Sequence, residues 1–363
     1  MLNSVLYAIW KPYLEQHLPD NCRTRLENML LLVVGMFQAG SVHLSKVARK
    51  LPIDAQKLSL TRRLRRFLDN EAVDVRSWYH PWASHLIESA SSGGQLNLII
   101  DTTKISSKFR KISVAVAYKR RALPLMWDWV PYARGHCTVN QQIALFQQLR
   151  ELIPADVRVS LVGDGEFGNP LLIEYLDFWG WDYALRQKSN TKIWMRGAEG
   201  WQRLDELGIQ RGDQWWIGHV VLTEASSYPA HVVTIWHPNE KEPILLATNQ
   251  LDPKATWRLY KRRMWIEEMF GDMKGHGFDL EASCLGTADR LSRLTMVVCI
   301  LYLWLVAQGE ALIRDGQTHL VDRRDRRDLS IFRLGWDYIE RLLALQRPIP
   351  EHFCPNFCSV SGG

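Results

Sequence analysis

The stretch LNLIID, residues 96–101, decides the fold, because a short run of large aliphatic residues stops abruptly at an acid. Its length and aliphatic content predict a β-strand, and the spacer SSGG at 91–94 separates it from the preceding residues. Residues 111–130, KISVAVAYKRRALPLMWDWV, predict two or three further strands. A β-rich region therefore begins near residue 95.

Helices and strands alternate after this region. Residues 139–153 have helical periodicity, and the run RVSLVG that follows predicts a strand closed by Asp164. Residues 190–252 predict strands separated by turn residues, and helices follow them. This order predicts an α/β fold, with a mixed sheet flanked by helices and interrupted by an inserted β-rich domain.

The first 90 residues are helical in pattern and basic. Residues 26–38 form one apolar helix, Ser41 is the expected N-cap of a second, and a third spans about 55–68. Between Lys46 and Arg66 the sequence holds one acid, Asp54, and eight bases: Lys46, Arg49, Lys50, Lys57, Arg62, Arg63, Arg65 and Arg66. A basic helical pair suits contact with DNA phosphates and resembles a helix-turn-helix loosely, although a solvated charged face gives the same pattern.

Composition bounds the class of protein. The 363 residues are 47% hydrophobic and 23% charged, which is typical of a folded protein and excludes a disordered or collagen-like chain. A net charge of +6 favours an anionic partner such as nucleic acid. The apolar run at 296–307 is too short to cross a membrane and predicts a buried helix. With no signal peptide in the sequence, we expect reduced cysteines and a cytoplasmic location.

Three acids stand where this architecture brings side chains together. Asp101 and Asp164 end predicted strands, and Glu267 lies on the late helical stretch YKRRMWIEEMFGDMK, residues 260–274. The ends of strands in an α/β sheet are where catalytic groups gather, and carboxylates are the ligands that Mg²⁺ prefers. Taken singly, Asp101 is also compatible with a loop or a helix cap, and Asp164 with a turn.

Helix geometry separates Glu267 from its neighbour Glu268. At 100° per residue, Glu267 shares one narrow stripe with three residues of other chemistry, Tyr260, Arg263 and Lys274, and Glu268 does not. An i, i+4 ion pair on a solvated face would explain Arg263 and Glu267 alone.

The spacing Tyr260-x2-Arg263-x3-Glu267-x6-Lys274 resembles the Tyr-Arg-Glu-Lys signature of insertion-sequence family four, which are DDE transposases with an RNase H-like fold. The resemblance covers roughly residues 25–310. It implies a bacterial mobile-element enzyme that cuts DNA at terminal inverted repeats and joins the 3′ ends to a target. Together with the order of predicted elements, it predicts five parts of the chain: 1–90, a helical DNA-binding region; 91–189, the first part of the RNase H-like core; 190–252, the β-rich insertion; 253–310, the second part of the core, which carries Glu267; and 311–363, a helical tail.

The resemblance also implies roles for residues. Asp101, Asp164 and Glu267 would bind two Mg²⁺ ions, for which Mn²⁺ can substitute. Tyr260, Arg263 and Lys274 would hold phosphates beside the cut. The partner would be double-stranded DNA, bound by a homodimer, and no membrane is expected. The alternatives are an RNase H-like nuclease that cuts without joining and an inactive DNA-binding relative.

Other residues carry weaker signals. Some relatives grip a flipped base with an aromatic side chain of the insertion, although tryptophans in strands are more often core; the candidates are Trp194, Trp201, Trp215, Trp216 and Trp236. A basic run predicts either a DNA channel or a solvated edge; its members are Lys104, Lys108, Arg110, Lys111, Lys119, Arg120 and Arg121. His352, Cys354 and Cys358 are weak candidates for a zinc site that lacks a fourth ligand.

Overall fold

A computed structural model of the chain describes residues 2–18, 22–106, 108–131 and 136–357. The chain forms two compact units, each built from separated stretches of sequence. The sheet unit consists of Ala90–Thr103 and Lys111–Glu268, and the helical unit consists of Met1–Ser89, Lys104–Arg110 and Met269–Gly363. The five-part division of the sequence stays a prediction.

One mixed sheet organises the sheet unit. In chain order its strands are β1 (Gln95–Lys104), β2 (Phe109–Tyr118), β3 (Arg121–Pro131), β4 (Arg158–Gly163), β5 (Asp182–Arg186), β6 (Lys192–Met195), β7 (Gln202–Arg203), β8 (Gln214–Leu222), β9 (Tyr228–Ile235) and β10 (Ile244–Thr248). Their order across the sheet is β3-β2-β1-β4-β5-β10-β9-β8-β6-β7. The predicted α/β class is therefore confirmed.

The central strands are parallel. β1 pairs with β4 and β4 with β5 in the same direction, whereas β10 runs antiparallel to β5. Strands covered on both faces carry continuous apolar runs, and the apolar residues of LNLIID in β1 are buried. Parallel neighbours need crossover connections, which α6 (Val139–Arg150) and α7 (Pro170–Phe178) provide. A capping box of Thr138 and Gln141 starts α6.

The strands of the predicted insertion extend this sheet. β6 to β10 all lie within residues 190–252, and β10 joins them to the core strand β5. The β-rich character of the segment is as the sequence predicts, and its strands share one continuous sheet with β1 to β5.

The segment 260–274 is interrupted, so the prediction of one continuous helix is wrong. It comprises the end of α8 (Pro253–Tyr260), a 3-10 helix (Lys261–Met264) and α9 (Trp265–Met273). A 3-10 helix turns about 120° per residue, so the stripe calculated at 100° per residue does not hold. Lys274 lies one residue beyond α9.

The helical unit contains the N-terminal helices and the two late ones. They are α1 (Leu2–His17), α2 (Arg23–Ala39), α3 (Leu44–Ala48), α4 (Lys57–Asp69), α5 (Val75–Ser91), α10 (Ala288–Arg314) and α11 (Ile331–Ala344). α3 begins later than predicted: its N-cap is His43, while Ser41 is buried and its hydroxyl accepts a hydrogen bond from His43 N. The N-cap prediction for Ser41 is therefore wrong.

α10 is the core of the helical unit. It is long and apolar enough to cross a membrane by length and composition, yet 94% of its most apolar stretch is buried inside the protein. Its residues 296–307 are all buried, which confirms the predicted buried helix. α11 crosses α10 with its backbone in close approach, because Gly309 and Gly335 leave no Cβ between them: a Cβ on Gly335 would lie 1.8 Å from Leu305 O.

Candidate active site

The two aspartates meet because their strands are neighbours. Asp101 lies near the carboxyl end of β1 and is 5% exposed, and Asp164 follows the last residue of β4. Ile100 pairs with Gly163 in the parallel register, so the acids that follow these two residues lie at the same edge of the sheet. Glu267 lies in the first turn of α9.

One guanidinium connects all three acids. Arg263 Nη2 lies 3.1 Å from Asp101 Oδ2 and 3.7 Å from Asp164 Oδ2, and Arg263 Nη1 donates a short hydrogen bond to Glu267 Oε1. The Arg263 side chain is 15% exposed, so solvent screens these ion pairs only in part. The structure thus brings together Asp101, Asp164, Glu267 and Arg263.

Burial dominates the electrostatics of Asp101. It raises the pKa of this carboxyl group to about 7; Arg263 opposes the shift, and Asp164 and Glu267 add to it. Thr102 N donates to Asp101 Oδ1 at 2.7 Å and also favours the charged form. A buried acid with a raised pKa beside two further acids is a typical feature of a functional site.

Glu268 has a different partner. It accepts a short hydrogen bond from Arg121 Nη1 of β3, and Arg121 is buried. The two adjacent glutamates therefore point to different arginines, and Glu267 faces the aspartates.

The other two residues of the signature have partners of their own. Tyr260 is buried, and burial raises its pKa against the opposing effect of Arg186, with which it shares a hydrogen bond. Lys274 belongs to the helical unit, where its Nζ lies 3.1 Å from Glu281 Oε1.

The donor set of the acids fits a hard divalent cation. All three groups offer carboxylate oxygens, and three carboxylates face one guanidinium, so the cluster has more negative than positive charge. The chemical type of these donors suits the cation, but their arrangement does not enclose one: within the described residues, no group of three His, Cys, Asp or Glu side chains is arranged to hold a metal ion. The Arg263 guanidinium pairs with all three carboxylates and lies between them.

A cavity of about 650 Å³ opens beside this cluster. It is lined by Asp164 and Arg263 together with Arg186, Lys188 and Trp236. The aromatic ring of Trp236 and the cations are of the types that contact bases and phosphates of single-stranded nucleic acid.

Sequence reasoning missed Glu166, two residues after Asp164. Its side chain is 5% exposed and accepts hydrogen bonds from Thr102 Oγ1 and Cys137 N, both at 2.8 Å. The motif GDGEFG contains this acid, but its partners stand 64 and 29 residues away in sequence. No local signal connects them.

The Lys and Arg side chains proposed to contact DNA differ in their exposure to solvent. Arg62, Arg65 and Arg66 of α4 are exposed, whereas Arg63 is half-buried and donates to Asn28 Oδ1 at 2.6 Å. In the later basic run, Lys111 is 1% exposed and Arg121 pairs with Glu268, so the prediction of a solvent-facing charge is wrong for these two.

None of the five candidate tryptophans of the insertion is buried. Trp194, Trp215 and Trp216 are exposed, and Trp201 and Trp236 are half-exposed. The interpretation of these rings as core residues is therefore wrong. Of the zinc candidates, Cys358 lies outside the described residues.

Comparison with known families gives a match on part of the chain. Residues 136–304 match the family described as "Transposase DDE domain". This match supports a DDE transposase. The matched range is less than half of the chain; it contains Asp164 and Glu267, and Asp101 lies before it.

No curated protein matches the chain. Among solved structures, the cryo-EM structure of a piggyBac transposase synaptic complex with hairpin DNA is similar over 99% of this chain and 84% of that one, with 10% identity and a TM-score of 0.42.

Proposed function

We propose that the protein is a DNA transposase of the insertion-sequence family four type, which cuts at the terminal inverted repeats of its element and joins the 3′ ends to target DNA. The observation that carries the proposal is the convergence of Asp101, Asp164 and Glu267 on Arg263, within a chain whose residues 136–304 match the transposase DDE domain.

The order of the strands supports an RNase H-like core. β3-β2-β1-β4-β5 is the order of a mixed five-stranded sheet whose central strands are parallel. Asp101 and Asp164 follow two neighbouring strands of that sheet, which is where ligands and catalytic groups gather in α/β folds. In this proposal β6 to β10 form the insertion between the two parts of the core.

Asp101, Asp164 and Glu267 would hold two divalent ions, Mg²⁺ or Mn²⁺. Bound there, such ions would lower the pKa of an attacking water or 3′-hydroxyl and neutralise charge on the leaving oxygen. The protein's own part is to position the carboxylates. Phosphoryl transfer depends mainly on positioning and charge, so the loss of one carboxylate removes most of the activity.

The basic side chains would contact the DNA backbone. Arg263 offers a forked donor set for a phosphate, and Tyr260 and Lys274 would complete the contact with the strand being cut. Arg62, Arg65 and Arg66 of α4 are exposed and suit phosphate contact elsewhere on the duplex. The working form would be a homodimer assembled on two element ends, in a bacterial cytoplasm.

The test is a reaction of the purified protein with linear DNA that carries the inverted repeats flanking its gene, with Mg²⁺ present. New 3′ ends and joined products support the proposal, provided that Asp101→Asn and Asp164→Asn bind the DNA but give neither product. Cleavage without joined products indicates a nuclease. Binding without cleavage by the wild type indicates an inactive relative.

A further inference from the structure

Glu166 is a buried acid that the proposed chemistry does not use. Its side chain is 5% exposed, and each of its two carboxylate oxygens accepts a hydrogen bond. Oε2 accepts from Thr102 Oγ1, and Oε1 accepts from Cys137 N, both at 2.8 Å. His136 Nδ1 also lies 3.6 Å from Oε2.

These bonds reach both aspartates of the cluster. Thr102 follows Asp101 in β1, and its backbone N donates to Asp101 Oδ1 at 2.7 Å. Glu166 N donates to Asp164 Oδ1 at 2.9 Å. Glu166 therefore contacts the Asp164 carboxylate through its backbone N–H, and it contacts Thr102, the neighbour of Asp101, through its side chain.

A third segment joins the same network. Cys137 lies just before α6, and its backbone N–H donates the hydrogen bond to Glu166 Oε1. Gln142 of α6 is buried and donates from Nε2 to Glu166 O at 3.4 Å and to Cys137 Sγ at 3.2 Å. Glu166 thus ties the end of β1, the turn after β4 and the start of α6 to one another.

We propose that Glu166 is the positioning residue that sets the spacing between Asp101 and Asp164, and this proposal rests on the metal-binding role proposed for them. Groups that orient metal ligands through hydrogen bonds alter metal affinity strongly when they are removed. Mg²⁺ demands near-ideal octahedral geometry, so a small shift of one carboxylate weakens binding.

Two variants of Glu166 separate position from charge. In Glu166→Gln the amide oxygen accepts from Cys137 N while the amide N–H donates to the Thr102 hydroxyl, which is both donor and acceptor. Both connections persist and the charge is lost. Glu166→Ala loses both connections. Thr102→Val removes only the hydroxyl that links Glu166 to β1.

The experiment is calorimetric titration with Mn²⁺ alone, well below the melting temperature of each variant. We expect Glu166→Ala to lower the affinity for Mn²⁺ by about 10–100-fold. Thr102→Val should lower it in the same direction, and Glu166→Gln should stay close to the wild type. Glu174→Ala, a change of an exposed acid on α7, is the control and should leave the affinity unchanged.

Three results would overturn the proposal. Wild-type affinity in Glu166→Ala, even with a lower melting temperature, assigns a purely structural role. Equal losses in Glu166→Gln and Glu166→Ala assign the effect to charge. If Glu166→Ala does not fold, unchanged affinity in Thr102→Val is decisive against it. Asp101→Asn tests the metal site itself. If Asp101→Asn binds Mn²⁺ as tightly as the wild type, the proposed function is contradicted. If Asp101→Asn loses Mn²⁺ binding while Glu166→Ala keeps the wild-type affinity, only the positioning role of Glu166 is contradicted.

Discussion

Arg263 is the residue on which the three acids converge, so in the DNA-free protein its guanidinium neutralises part of their negative charge. Its guanidinium pairs with Asp101, Asp164 and Glu267 and is largely buried. An arginine that neutralises the acids competes with a divalent cation for the same oxygens. The same side chain is the proposed phosphate ligand, so cation binding would leave its guanidinium free to contact a phosphate.

Replacing Arg263 should therefore favour cation binding when DNA is absent. We expect Arg263→Gln to raise the affinity for Mn²⁺ by on the order of tenfold, because hydrogen bonds between charged groups contribute about 1.5–3 kcal/mol. Calorimetry on the DNA-free protein measures this. Arg262→Gln is the control, since Arg262 donates to Asn97 Oδ1 and contacts none of the three acids in the described hydrogen bonds and ion pairs. Unchanged or weaker Mn²⁺ binding by Arg263→Gln would show that the guanidinium does not compete.

The pKa of Asp101 predicts how cation binding depends on pH. Burial raises this pKa to about 7, so the carboxyl group is mainly protonated at pH 6 and mainly ionised at pH 8. Cation binding needs the ionised form, so the affinity falls as the pH falls below 7, by roughly tenfold between pH 8 and pH 6. Titration of Mn²⁺ at both values measures it, and equal affinities would contradict the shifted pKa.

The residues of the cluster differ in how well sequence reveals them. Asp101 and Asp164 stand out because each ends an aliphatic run, and Glu267 because of its spacing from Arg263. Glu166 gave no signal, since its partners come from other segments of the chain. The exposure of Trp194, Trp215 and Trp216 was also missed, because the presence of a tryptophan in a strand does not reveal whether its side chain faces solvent or the core.

At the scale of elements, the periodicity of the sequence predicted the main strands and helices, but it did not predict how neighbouring helices are joined. The long apolar run of α10 and the aliphatic run of β1 were predicted correctly. The 3-10 helix between α8 and α9 was missed, because its residues KRRM have no composition that distinguishes it from an α-helix. Its Arg262 is anchored to Asn97 of β1, a contact between distant parts of the chain.

The crossing of α10 and α11 depends on two glycines. We expect Gly335→Ala to lower the free energy of unfolding by about 2–3 kcal/mol, because its Cβ would lie 1.8 Å from Leu305 O and the helices must separate. Thermal and denaturant unfolding measure the change. Gly286→Ala is the matched control, as its Cβ meets nothing within 4 Å. Equal stability of the two variants would show that the crossing tolerates a methyl group.

At the scale of the whole molecule, the net charge of +6 favours DNA, and α4 presents part of that charge. We expect the double change Arg65→Ala and Arg66→Ala to reduce the slope of log affinity against log salt by up to about 2, because each phosphate contact contributes about 0.9. Binding to duplex DNA at several salt concentrations measures it. The control is Arg63→Ala, which removes the bond to Asn28 and should affect stability more than the slope. An unchanged slope in the double variant would exclude these arginines from the contact.

The central claim is that Glu267, and not the adjacent Glu268, completes a carboxylate site with Asp101 and Asp164. The most direct measurement is Mg²⁺-dependent cleavage of linear DNA bearing the flanking inverted repeats, comparing the wild type with Glu267→Gln and Glu268→Gln. We expect Glu267→Gln to lose cleavage by about a hundredfold or more while still binding DNA, and Glu268→Gln to cut near the wild-type rate. Cleavage by both variants at the wild-type rate, or its loss in Glu268→Gln alone, would contradict the account.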